Sequence, residues 1–196
     1  MRIGFTYDLR DDYLREGYTA EESAEFDDVE TIEAIEAALV SLGHTVDRIG
    51  GVKNLAARLT AGDRWDLVFN YAEGMFGFAR EAQVPSLLDA FQIPYTFSDG
   101  LVFALTLHKG MTKHVVRGLG VPTPDFAVAA NEAEAAAVAL PFPLFVKPVK
   151  SFFSVGAERI ASRAELAALL PRWRALDQFF LPLERMLPQP RLTMPT

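Results

Sequence analysis

Apolar and polar positions along the chain alternate in a way that sets out strands and helices in turn. Ile3, Phe5 and Tyr7 alternate with Gly4 and Thr6, which predicts an opening strand ending at Asp8. Residues 8–25, DLRDDYLREGYTAEESAE, have helical propensity but no sustained apolar period, and read as a solvated insertion or loop rather than a substrate lid. Asp27 or Asp28 can cap a helix whose apolar face carries Val29, Ile32, Ile35, Ala38, Leu39 and Leu42, with Gly43 to stop it. A strand over 45–49, a helix around 52–59 and a strand over 65–70 come next. This alternation predicts a largely parallel sheet with right-handed crossovers.

A helix over 85–91, a short strand over 93–96 and a helix capped by Ser98 or Asp99 continue the pattern. The apolar run 101–107 gives way at Lys109 to a helical stripe of Met111, Val115, Val116 and Leu119, ended by Gly120, Pro122 and Pro124. The sequence VPTP at 121–124 is the expected domain boundary. Beyond it lie a strand over 126–129, an alanine-rich helix over 132–138, and a strand at Leu144, Phe145 and Val146 that ends in Lys147. A strand near 155–161 and a helix over 163–170 complete a small β-α-β-β-α unit. Residues 171–196 are rich in proline without a sustained period and read as an irregular tail.

Composition narrows the chemistry. Across 196 residues, a net charge of −7 and a pI near 5.0 argue against nucleic acid as a partner. The absence of cysteine removes disulfides, thiolate metal sites and cysteine nucleophiles, and the three histidines are too scattered for zinc. No apolar run reaches membrane-spanning length, and Met1 leads straight into strand-like RIGFTYD, so the expected setting is the cytoplasm with no membrane partner. The motifs GxxxxGK[ST], GxGxxG and GxSxG do not occur, nor does an obvious acidic magnesium cluster.

Two places carry candidate chemistry. Lys147 ends a buried strand, where its charge calls for an anion or solvent. Ser151, Ser154 and Gly156 follow it in a loop whose backbone N–H groups could meet that anion. Lys109 supplies a second cation from another element, as phosphate oxygens require, and Lys150 is either a third or a solvated residue. The other place is the loop YAEGMFGFARE after the 65–70 strand, where ligands of open α/β sheets bind. It puts forward Asn70, Glu73, Arg80 and Glu81, although Arg80 and Glu81 also read as a surface pair.

Three runs, REAQVPSLLDAFQIPYTFSD, LTLHKGMTKHVVRGLGVPTP and PLFVKPV, resemble the D-alanine–D-alanine ligase-like group of ATP-grasp proteins, and the resemblance extends from Met1 to about Leu170. It implies an α/β fold: a Rossmann-like pre-ATP-grasp domain over 1–121, then a small α+β ATP-grasp lid subdomain over 122–170, with the large ATP-grasp subdomain absent. It also implies that Lys109 and Lys147 contact nucleotide phosphates. Glu73, Arg80 and Glu81 then lie at the amino-acid side as the catalytic candidates. The implied ligands are ATP, Mg²⁺ and an amino-acid-like small molecule, and the implied reaction joins a carboxylate to an amine through an acylphosphate.

Two departures stand against that pattern. The family's Gly/Ser loop reads VKSFFSVGAERI here, with bulky Phe152 and Phe153 and one glycine, Gly156. The large subdomain that carries the magnesium carboxylates has no counterpart, so the expectation is a truncated or split ligase, inactive alone, with no metal ligands in this chain. The alternative is a non-catalytic binding or assembly module that forms a homodimer or docks a complementary chain through the surface left uncovered.

Overall fold

The computed structural model describes the chain except residues 21, 148, 150–156, 176–180 and 186–196, with 172–175 and 181–185 described by their backbone. Two compact units are present, Met1–Leu107 and His108–Thr196.

The first unit is built on a parallel sheet of β1 (Arg2–Tyr7), β2 (Thr45–Arg48) and β3 (Leu67–Tyr71) in the order β2-β1-β3. Ile3 sits between Val46 and Leu67 in register. Two early helices are α1 (Arg10–Arg15) and α2 (Val29–Ser41). The crossover helix α3 (Val52–Thr60) buries Leu55 and Leu59, spaced at helical period, against Trp65 and Val68. A single 3-10 turn, Arg80–Ala82, leads into α4 (Gln83–Ala90), and α5 (Gly100–Leu107) closes the unit. The 93–96 segment, expected as a strand, makes only a parallel bridge from Tyr95 to Val68. Backbone bonds from Val68 to Pro94 (2.8 Å) and from Thr96 to Val68 (3.0 Å) hold it beside β3.

The 8–25 segment is more than a solvated loop. Leu9 bridges Asp27, Ser23 and Phe26 are buried, and Tyr13 stacks on Phe26 with ring centroids 4.1 Å apart. Aromatic anchors spaced irregularly hold it, which is why no helical period announced the packing. The reverse holds for α2, where Ile32 alone is fully buried and Leu42 remains 72% exposed.

The second unit begins with α6 (Lys109–Gly118), where the His108 side chain caps the helix by accepting from the Met111 N–H at 3.1 Å. The sequence boundary at VPTP therefore falls after the observed division, and α6 goes with the second unit. Its expected apolar stripe is largely exposed, with Leu119 at 76%. Grip on β4 (Phe126–Ala129) comes instead from Phe126, with the Arg117 guanidinium 4.7 Å and the Lys113 ammonium 5.4 Å from the ring centroid. Gly110 allows close approach, since a Cβ there would meet Val128 at 2.6 Å. Then come α7 (Glu132–Ala137), β5 (Leu144–Val146), β6 (Glu158–Ile160) and α8 (Arg163–Ala175). Leu144, Val146, Ile160, Leu166 and Leu169 form the core.

The expected irregular tail includes the end of α8 and a further strand, β7 (Leu181–Arg185). This strand pairs antiparallel with both β4 and β5, in the sheet order β4-β7-β5-β6. Pro182 explains the misreading, because proline argues against a central strand. Among the described residues no helix is long and apolar enough to cross a membrane.

Candidate functional site

In the first unit the carboxyl ends of β1 and β3 meet at Asp8. Its side chain is 7% exposed, yet both oxygens are used. Oδ2 accepts the backbone N–H of Glu73 (3.0 Å) and of Gly74 (2.8 Å), and Oδ1 accepts the Tyr13 hydroxyl (2.8 Å). One buried carboxylate thus fixes the turn after β3 and attaches the 8–25 segment to the sheet. Gly74 adopts φ +70°, and a Cβ there would stand 2.9 Å from the Arg80 carbonyl, so the turn folds back tightly on the 3-10 segment.

The fold-back carries Arg80 and Glu81 inward. They are buried, at 7% and 9% exposure, and do not form a surface pair. Arg80 donates to Glu25 at 2.5 Å and to the Gly74 carbonyl at 3.3 Å. Glu73 is half-buried, and its Oε2 finds no hydrogen-bond partner among the described residues. Burial pushes its carboxyl up to about 7; Arg80 pulls the other way, while Glu25, Glu81 and Asp27 add to the rise. A carboxyl so placed can exchange a proton near neutral pH.

Asn70 has a different place from the one its position suggested. It is buried, its Oδ1 accepts from Thr6 (2.9 Å), and its backbone N–H donates to Thr96 Oγ1 (3.0 Å). It ties strands together.

Beside Asp8 lies a cavity of about 320 Å³, bordered by β1, α1, the start of α3 and the turn after β3. Tyr13, Tyr18, Phe76, Asp12, Glu16 and Lys53 are among its lining residues. The sequence reading passed over Asp8, Tyr13, Tyr18 and Phe76. The spacing of aromatic residues at 13, 18 and 26 within an otherwise polar stretch was the available signal.

The second unit places Lys109 at the start of α6. Its backbone N–H and its Nζ both approach the Val149 carbonyl, at 3.4 and 3.3 Å. Lys147, half-buried, directly follows β5, two positions before Val149. Lys109 is thereby tied to the carbonyl of a residue two positions beyond Lys147 in the sequence. Ser151, Ser154, Gly156 and Lys150 lie outside the described residues. Among the described residues no group of three or more His, Cys, Asp or Glu side chains gathers where it could hold a metal ion.

Solved structures with this fold exist. A D-alanine–D-alanine ligase from Bacillus anthracis superposes with a TM-score of 0.71 at 23% identity, covering 96% of this chain and 58% of that one. The same enzyme complexed with ATP gives 0.69 at 20% identity. The fold is therefore the α/β class of the ATP-grasp ligases, matched over part of their length. Sequence relatives go further: the D-alanine–D-alanine ligase of Xylella fastidiosa is 34% identical over 172 residues, 75% of this chain and 56% of its own length. That of Pseudomonas entomophila is 39% identical over 137 residues, 69% of this chain and 42% of its own. No family model matches the chain. The chain belongs to the D-alanine–D-alanine ligase-like family of ATP-grasp proteins and corresponds to their N-terminal portion. It spans about half the length of the curated relatives it matches.

Proposed function

We infer that this chain supplies the phosphate-positioning and amino-acid-positioning parts of an ATP-dependent carboxylate–amine ligase. The first unit is then the pre-ATP-grasp domain and the second the small ATP-grasp lid. The observation that carries the reading is the convergence of Lys109 on Val149, beside Lys147, at a helix start and a strand end. A helix N-terminus and two ammonium groups provide charge neutralisation for phosphate oxygens, with the Lys109 Nζ exchanging the Val149 carbonyl for the anion.

In the reaction, a substrate carboxylate oxygen attacks the γ-phosphorus of ATP, its bond to the bridging oxygen breaks, and ADP leaves. An amine then attacks the acyl carbon, the C–N bond forms, the C–O bond to phosphate breaks, and phosphate departs. Lys109 and Lys147 hold phosphate oxygens and Asp8 keeps the amino-acid side in shape. Glu73, titrating near 7, is the carboxyl in the first unit best matched to take the proton the amine gives up. Among the described residues no group of three or more His, Cys, Asp or Glu side chains gathers to hold magnesium, and the roles assigned to this chain's residues are positioning and proton transfer. The 196 residues by themselves are then expected to bind nucleotide without turning over.

Calorimetric titration with ATP tests this reading. Binding that weakens at least tenfold in Lys147→Ala and in Lys109→Ala supports it. Heat indistinguishable from buffer at millimolar ATP overturns the nucleotide site, and amino-acid-dependent phosphate release overturns the inactivity of the chain alone. No heat combined with self-association would favour the assembly module.

A further inference from the structure

The cavity beside Asp8 has a wall that the ligase reading does not use. Tyr13 stacks on buried Phe26 (4.1 Å, 19° between planes), Tyr18 meets Tyr13 edge-on (5.7 Å), and Phe76 lies 6.2 Å from Tyr18. The series is anchored at one end by the Phe26 core and in the middle by the Tyr13–Asp8 hydrogen bond. Burial, with Asp8 next, holds the Tyr13 phenol well above its usual range, so it remains a donor and the wall keeps its shape with pH. Phe76 is nonetheless 60% exposed and Tyr18 half-buried, which leaves aromatic surface uncovered along a preformed cavity.

The remaining lining is polar in both senses. Asp12 and Glu16 come from α1 and the residue after it, while Lys53 comes from the first turn of α3, whose N-cap, Gly51, offers no side chain to its N–H groups. A volume of about 320 Å³ is at the lower end of small-molecule sites and far beyond the needs of a single methyl side chain.

We propose that this cavity binds a zwitterionic amino compound with an aromatic or bulky apolar side chain. The side chain lies against Tyr18 and Phe76, the ammonium faces Asp12 and Glu16, and the carboxylate faces Lys53 and the start of α3. The inference deepens the proposed function by naming the size class of the amino-acid ligand. It rests on that reading only in calling the ligand a substrate. Rigid aromatic walls supply apolar contact at little ordering cost, so the selection is by side-chain size and is built in before the ligand arrives.

The test titrates the full 196-residue chain separately with D-phenylalanine, L-phenylalanine and D-alanine, read by calorimetry and by amide chemical shifts. At least one phenylalanine enantiomer is expected to bind tenfold or more tightly than D-alanine. Tyr18→Ala and Phe76→Ala, both at exposed or half-exposed positions, are each expected to weaken it severalfold. Asn54 also lines the cavity from an exposed position, and Asn54→Trp, which narrows it, is expected to abolish binding with an unchanged circular dichroism spectrum. D-alanine binding as tightly as phenylalanine, or phenylalanine binding indifferent to all three variants, overturns the inference. Phenylalanine binding without ATP binding upholds it and removes the ligase reading; ATP binding without phenylalanine binding does the reverse.

Discussion

Two polar clusters sit at opposite ends of the same parallel sheet, and they are built on different terms. At the amino end, Asp47 accepts from Arg2 (2.7 Å), Arg58 (2.8 Å) and the Trp65 indole (2.9 Å), and Arg58 also bonds Asp63. Burial pulls the Asp47 carboxyl upward, but the hydrogen bonds from Arg58, Trp65 and Arg2 outweigh it and hold the group at about 2. At the carboxyl end, Asp8 is equally engaged, but Glu73 next to it keeps a buried oxygen with no partner among the described residues and titrates near 7. One end spends its polar groups on holding β1, β2 and α3 together. The other leaves a half-buried carboxyl raised into the neutral range in the turn whose next residue, Gly74, lines the cavity.

The contrast is broken most sharply at Arg80. Arg80→Ala removes one member of the buried Arg80–Glu25 pair and is expected to cost about 3–5 kcal/mol in urea unfolding, whereas Arg80→Met with Glu25→Leu returns to within about 1 kcal/mol of the parent. Asp8→Ala leaves two backbone N–H groups and a phenol without their acceptor, a loss of about 3 kcal/mol by the same measurement.

The pH dependence of stability separates the ends by sign. Glu73 has a folded pKa above the ordinary 4.5, so the folded state holds its proton more firmly. Its contribution to stability is fully present below about 4.5 and is lost as pH rises toward 7. Glu73→Gln is expected to flatten that slope in denaturant titrations between those values. Asp47 behaves oppositely: its contribution is present above 3.8 and disappears as pH falls through about 2. With Asp47 partly exposed, about 1 kcal/mol is at stake, and Asp47→Asn removes the dependence.

The amino end and the sheet were legible in the sequence because period-two strands and the Leu55–Leu59 helix announce themselves through hydrophobic spacing. Lys109 and Lys147 were legible as cations at element boundaries. The carboxyl end was only half legible. The loop bearing Glu73 and Arg80 could be placed after a strand, but the burial of Arg80 depends on Glu25, fifty-five positions away. Likewise, the 8–25 segment packs through Tyr13, Tyr18 and Phe26, a spacing that belongs to neither a helix nor a strand. Tertiary pairing, which no local period encodes, determined both. The β7 strand was missed for a related reason: its pairing with β4 and β5 overrides the local signal of Pro182.

The most direct test of the contrast is a carboxyl-carbon NMR titration following Asp47 and Glu73 in one sample. The account predicts midpoints near 2 for Asp47 and near 7 for Glu73. Both residues titrating together near 4 would contradict it, because the two ends of the sheet would then be electrostatically alike.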